Sequence, residues 1–213
     1  MATATCPYCA AELEKVPQRK SKCPICGQPI YVKATPEDRQ KRLMTESQAA
    51  DAEARWERRS IIQHALGIAS SLGFDAKSVE RDLAAAADVS KAIENLCLDA
   101  ATNGKDRYVR RLACFQLAII NAAQGSDSFL LFLEQTRVHE LAELKDRGIR
   151  RVEVRPGDLS KEICRRARAR SAMDIDEALR SPPIPNPMCP RGMGKIERGF
   201  CICYFEASRD NPW

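Results

Sequence analysis

Apolar positions change their spacing along the chain, and the changes mark its parts. From Thr45 to Gly148 they recur every three or four residues, the period of helices packed on one side. Thr45 with Gln48 reads as a capping box that opens a helix running to about Leu72. Ile61, Ala65, Ile68 and Leu72 form its stripe, and Gly73 ends it. Shorter helices are predicted over 76–87 and 89–102, the second stopped by Asn103-Gly104. The next places Tyr108, Leu112, Phe115 and Ile119 on one face and ends near Gly125. Asp127 then caps a helix carrying Leu130, Leu133, Leu141 and Leu144 to Gly148, with a polar middle, Glu134 to Arg137, that predicts a kink or an exposed stretch.

Residues 35–45 are ambiguous, because Thr35-Pro36-Glu37-Asp38 also has the form of a helix start. Beyond Gly148 the period drops to two. Val152 and Val154 alternate with charged residues as in a short strand. A basic helix over 159–171 and a short turn of helix over 174–180 follow. Ser181 to Pro187 reads as an extended connector, since its prolines lack the N–H that helix or central sheet needs. A last strand is predicted over Phe200–Phe205. No internal repeat emerges. The fold class is mainly α, in three parts: an N-terminal segment over 1–34 whose pairs Cys6-x-x-Cys9 and Cys23-x-x-Cys26 read as a zinc ribbon, a central α-helical bundle over 45–148, and a small, irregular, cysteine-rich α+β module over 149–213.

Composition refines this picture at one point. Hydrophobic content of 44% and charged content of 30% are ordinary for a globular chain, and a net charge of +5 permits an anionic partner without requiring one. Ten cysteines against two histidines stand out. The start of the chain has neither the basic nor the apolar segment of a signal peptide, and no apolar run is long enough to span a bilayer. The expectation is a soluble protein of a reducing compartment, the cytoplasm, where clustered cysteines serve as metal ligands more often than as disulfides.

Cys6-Pro-Tyr-Cys9 and Cys23-Pro-Ile-Cys26-Gly27 are two Cys-x-x-Cys pairs with thirteen residues between them. Each tight turn aims two thiolates at one ion, and two turns complete a tetrahedral four-sulfur zinc site with no position left for water. About thirty residues bury too little apolar surface to fold unaided, so the metal supplies the stability. Two disulfides or a redox pair are the alternative. At the other end Cys201-Ile-Cys203 places two sulfurs on one face of a strand; with Cys164 and Cys189 they are candidates for a second zinc site, alongside a disulfide or buried free thiols. Cys97 and Cys114 fall among apolar helical positions and read as core. His64 and His139 are isolated.

Two basic clusters are candidate contacts for nucleic acid or another anion: Arg19, Lys20 and Lys22 around the first cysteine group, interleaved with Tyr8 and Tyr31, and Arg165, Arg166, Arg168 and Arg170 on the predicted basic helix. A solvated face is the alternative for both clusters, and an acidic protein surface would also suit the second. No phosphate loop, nucleophile elbow or His/Glu hydrolase motif is present.

The ribbon CPYC…CPICG followed by IYVKATPEDRQ, with the tail GIRRVEV…MDIDEALRSPPIPNPMC…GFCICYF, resembles an uncharacterised bacterial zinc-ribbon family. Its C-terminal part is similar to the cysteine-bearing end of phage head-morphogenesis proteins. That pattern carries a Cys-x-x-Cys pair before the IDEAL-like stretch, where this chain has Cys164 alone. The resemblance implies no reaction. The leading expectation is a non-enzymatic zinc-ribbon module that binds nucleic acid or a protein partner. A phage or prophage assembly protein that oligomerises through its helical body is the alternative, and a metal-dependent nuclease is the least supported reading.

Overall fold

The computed structural model describes residues 4–156, 172–185 and 203–209. Among them are six helices and three small sheets. The chain divides into two compact units, Met1–Ala65 and Leu66–Trp213.

The first unit is built on hairpins. Strand β1 (Ala4–Thr5) pairs antiparallel with β2 (Glu12–Leu13), and β3 (Ser21–Lys22) pairs in the same way with β4 (Pro29–Ala34). β4 continues past this hairpin to pair with β5 (Lys41–Met44), which makes a three-stranded sheet in the order β3-β4-β5. The intervening Thr35–Gln40 is a turn and not the helix start that its Thr-Pro-Glu-Asp sequence suggests. Asp38 accepts from the Thr35 hydroxyl at 2.8 Å and the Gln40 amide at 2.9 Å, and pairs with Arg42. A carboxylate that serves the turn in this way offers the backbone an alternative to helix. Arg39 enters the left-handed region at φ 58° to reverse the chain.

Helix α1 (Glu46–Ser71) starts where the capping box places it. The Thr45 amide donates to the Gln48 side chain at 2.9 Å, and the Gln48 amide returns to the Thr45 hydroxyl at 3.2 Å. Within the first unit its early turns lie along the β4–β5 hairpin: Tyr31, Met44, Ala49 and Ala52 pack together, Trp56 donates its indole N–H to the Ala34 carbonyl at 2.8 Å, and Lys33 pairs with Glu53. Ala65, Ile68 and Leu72 of the expected stripe are buried, whereas Ile61 is exposed.

In the second unit, α2 (Ala76–Ala85), α3 (Val89–Asn103) and α4 (Arg107–Ala123) each begin at an aspartate, Asp75, Asp88 and Asp106, whose side chain accepts an N–H of the first turn. α5 (Ser128–Asp146) does not: Asp127 makes no side-chain cap. Gly73, Gly125 and Gly148 close α1, α4 and α5 with paired backbone bonds of the Schellman kind, for instance Phe74 to Ala69 and Gly73 to Ser70. α4 packs between α3 and α5. Its buried line is Val109, Ala113, Leu117 and Asn121, flanked by Cys114 and Ala118, and not the predicted face of Tyr108, Leu112, Phe115 and Ile119. A helix with a neighbour on two sides buries small residues at the closest approaches, so bulk alone marks the wrong face.

β6 (Arg151–Arg155) forms the expected strand and lies between β7 (Met173–Asp174) and β8 (Tyr204–Ala207), antiparallel to both. With α6 (Ile175–Arg180) this sheet encloses Val152, Val154, Ile175, Ala178, Ile184, Cys203 and Phe205 against Leu141 of α5. The polar middle of α5 stays helical and is split between two environments: Glu134 and Gln135 are exposed as expected, whereas Thr136 and Arg137 are buried. Arg137 and Glu140 form a buried ion pair at 2.9 Å, and the same Glu140 oxygen accepts the Phe205 amide at 3.2 Å. Among the described residues no helix is long and apolar enough to cross a membrane.

Candidate metal centre

The β1–β2 and β3–β4 hairpins are two copies of one structure. Ala4 pairs with Leu13 and Thr5 with Glu12; seventeen positions on, Ser21 pairs with Ile30 and Lys22 with Pro29. The turns repeat as well. The Cys6 amide bonds to Ala11 O and the Ala10 amide to Cys6 O, while the Cys23 amide bonds to Gln28 O and the Gly27 amide to Cys23 O, all at 2.9 Å. Thr5-Cys-Pro-Tyr-Cys-Ala-Ala-Glu-Leu13 therefore aligns with Lys22-Cys-Pro-Ile-Cys-Gly-Gln-Pro-Ile30. The repeat is faint in the sequence because the unit is short and only Cys, Pro, Cys coincide; the apolar pair Leu13 and Ile30 is its remaining signal.

The duplication closes a core of Cys6, Leu13, Cys23 and Ile30, with Ala4, Cys26 and Leu43 beside it. All four ligand atoms of Cys6, Cys9, Cys23 and Cys26 lie within 4.8 Å of one another. Two of the sulfur pairs bridge the knuckles at close range: Cys6 to Cys26 at 3.8 Å and Cys9 to Cys23 at 3.9 Å. A disulfide needs about 2.05 Å, so neither pair is bonded. A tetrahedral ion with metal–sulfur bonds of about 2.3 Å has sulfur–sulfur edges of about 3.8 Å, which these separations match. The four cysteines therefore have the geometry to hold one metal ion.

The backbone prepares the sulfurs for negative charge. The Tyr8 amide points at the Cys6 sulfur at 3.5 Å. The Cys26 and Ile25 amides, against the opposing effect of burial, hold the Cys23 thiol down at about 6. The Gln28 amide favours ionisation of Cys26, but burial and the neighbouring Cys23, Cys9 and Cys6 sulfurs outweigh it and push that thiol up to about 12. Four thiolates this close repel one another unless a cation sits among them. The two halves differ in shielding: Cys6 and Cys23 are buried and Cys26 half-buried, but Cys9 is exposed.

Beside the knuckles, two phenols converge on the first residue of α1. The Glu46 amide donates to the Tyr8 hydroxyl at 2.8 Å, and the Tyr31 hydroxyl donates to the Glu46 carboxylate at 2.9 Å. Lys20 donates to the Tyr31 hydroxyl at 2.9 Å and stands over its ring at 4.3 Å; that hydrogen bond, with the nearby Glu46 and Tyr8, keeps its pKa above the usual lysine range. No sequence pattern announced this cluster, whose members are up to 38 residues apart. Arg19, Lys20 and Lys22 are exposed on the loop and strand leading into the second knuckle.

Of the proposed second site, Cys164, Cys189 and Cys201 lie outside the described residues, as do Arg165, Arg166, Arg168 and Arg170. Cys203 precedes β8 and is buried against Val154 and Phe205. Cys97 and Cys114 are core residues; burial pushes their thiols up to about 12 and about 11. His64 is exposed. Burial and the guanidinium groups of Arg110 and Arg107 hold His139 below the ordinary histidine range. No protein-family model, curated protein or solved structure matches the chain.

Proposed function

We propose that this chain, which also holds a helical bundle, is a non-enzymatic zinc-binding protein whose N-terminal zinc ribbon is a binding module for nucleic acid or a protein partner. One observation carries the reading: four cysteine sulfurs from two matched knuckles converge within 4.8 Å. Soft thiolates in tetrahedral array select zinc or iron over hard cations. Zinc needs no redox partner and suits a site whose work is to hold two hairpins together. With four protein ligands the ion has no open position for water or substrate, so its chemistry is structural. Binding then falls to the surfaces that the ion keeps in place.

Elemental analysis of the purified full-length chain tests this reading. One zinc per chain, lost when Cys6 and Cys23 are both replaced by serine, is the expected result. A second zinc that survives those changes assigns Cys164, Cys189, Cys201 and Cys203 as a further site. Iron in the protein as purified, or no metal with the four thiols oxidised in pairs, overturns the proposal.

A further inference from the structure

We propose that the exposed edge of the second knuckle, from Lys15 to Ile25 together with the rings of Tyr8 and Tyr31, is a binding surface for single-stranded nucleic acid. The inference rests on the zinc-ribbon reading and names the partner class left open there. Its first support is charge. Between Glu14 and Glu37 the chain carries Lys15, Arg19, Lys20, Lys22 and Lys33 and not one carboxylate. Lys33 is bound to Glu53, and Lys20 is held by Tyr31. Lys15, Arg19 and Lys22 are exposed and form no ion pair among the described residues. A fold normally intersperses carboxylates among its surface cations, and a run of unpaired ones complements a polyanion.

The second support is the aromatic pair. Tyr8 and Tyr31 are pinned by their hydroxyl groups to Glu46, so each ring is held at its edge. Tyr8 is 38% exposed, and one face of Tyr31 is covered by Lys20, a cation that a phosphate can draw away. Rings fixed in advance lose little freedom when a base stacks on them. Ile25, 71% exposed on the tip equivalent to Tyr8, adds an apolar contact. A duplex hides its base faces, so stacking groups beside a basic edge favour unpaired strands. An acidic peptide would satisfy the cations but has no use for both rings.

The test uses the full chain with one equivalent of zinc and a fluorescent thymidine oligonucleotide, titrated across a range of salt concentrations. Three phosphate contacts predict a slope of log affinity against log salt of about −2, at roughly −0.7 for each contact on a single strand. Joint Arg19→Glu and Lys22→Glu changes should weaken binding at least about tenfold and flatten the slope by about 1.4. Tyr8→Ala should cost about fivefold or more, while Tyr8→Phe, which keeps the ring, should bind nearly as the parent does. Zinc content and circular dichroism confirm that each variant is folded. Binding indifferent to salt or to the Arg19/Lys22 reversal overturns the proposal. So does binding lost only when Arg165, Arg166, Arg168 and Arg170 become glutamine, or a polyglutamate that competes as well as the oligonucleotide. Any of these results obtained with one zinc bound leaves the metal reading intact: loss confined to the Arg165, Arg166, Arg168 and Arg170 changes moves the nucleic-acid surface to that segment, and the others move the partner class to protein.

Discussion

Ala10 and Gly27 hold the same place in the two knuckles, with φ of 56° and 72°. Both are in the left-handed region, where a β-carbon costs about 1–2 kcal/mol. A β-carbon built on Gly27 would meet nothing within 4 Å, so conformation alone decides the effect there. Gly27→Ala should therefore weaken the ribbon by about 1 kcal/mol. Ala10→Gly should strengthen it by about 0.5 kcal/mol, the relief of strain exceeding the entropy returned to the unfolded chain. Competition for zinc with a chromophoric chelator measures both, and equal affinities for the two variants would contradict the argument.

The metal centre should open from the first knuckle. Cys9 is its exposed corner, whereas Cys26 is partly covered and belongs to the hairpin that β5 extends. With limiting alkylating reagent and peptide mapping, Cys9 should label first as chelator removes the ion. Cys97 and Cys114 should stay unlabelled until the helices unfold. Removal of the metal should erase the dispersed amide signals of residues 4–34 and leave most of the helical circular dichroism in place.

Inside the second unit, Glu140 pairs with Arg137 of its own helix, α5, and joins that helix to β8 through the Phe205 amide. Glu140→Ala strands both donors in the interior and should cost about 3–5 kcal/mol in denaturant unfolding. Arg137→Met with Glu140→Gln removes both charges, and also the Arg137 Nε, which has no hydrogen-bond partner. It keeps an acceptor for Phe205 and should recover most of that loss. If the double variant is as unstable as Glu140→Ala, the ion pair itself and not the stranded charge supplies the stability.

Alkaline unfolding should follow Cys97 and Cys114. Burial raises both thiols, to about 12 and about 11, from an ordinary value of 9.0. Below pH 9.0 folded and unfolded chains hold these protons equally. Above it the unfolded chain releases protons that the folded chain keeps, so stability falls as pH rises toward about 11 and about 12. Cys97→Ala should flatten that decline in chemical denaturation curves taken between neutral and alkaline pH.

Much of this structure was legible in the residues themselves. The two Cys-x-x-Cys pairs, the Thr45–Gln48 capping box, the glycines that close α1, α4 and α5 and the Val152–Val154 strand are all local signals. Each depends on neighbours a few positions away, whose geometry the backbone settles. The sequence by itself therefore determined the four-cysteine group that could hold a metal ion and most helix ends. Three features needed the tertiary structure. Thr35–Gln40 turned out to be a hairpin turn because β4 and β5 pair across it. The buried face of α4 fell on its small residues because helices approach from two sides. Arg137 and Glu140 went inside because an amide of β8, 65 positions further on, arrived to share the carboxylate. Packing decides such cases, since the burial of a charge or a small residue depends on what the rest of the chain brings to it.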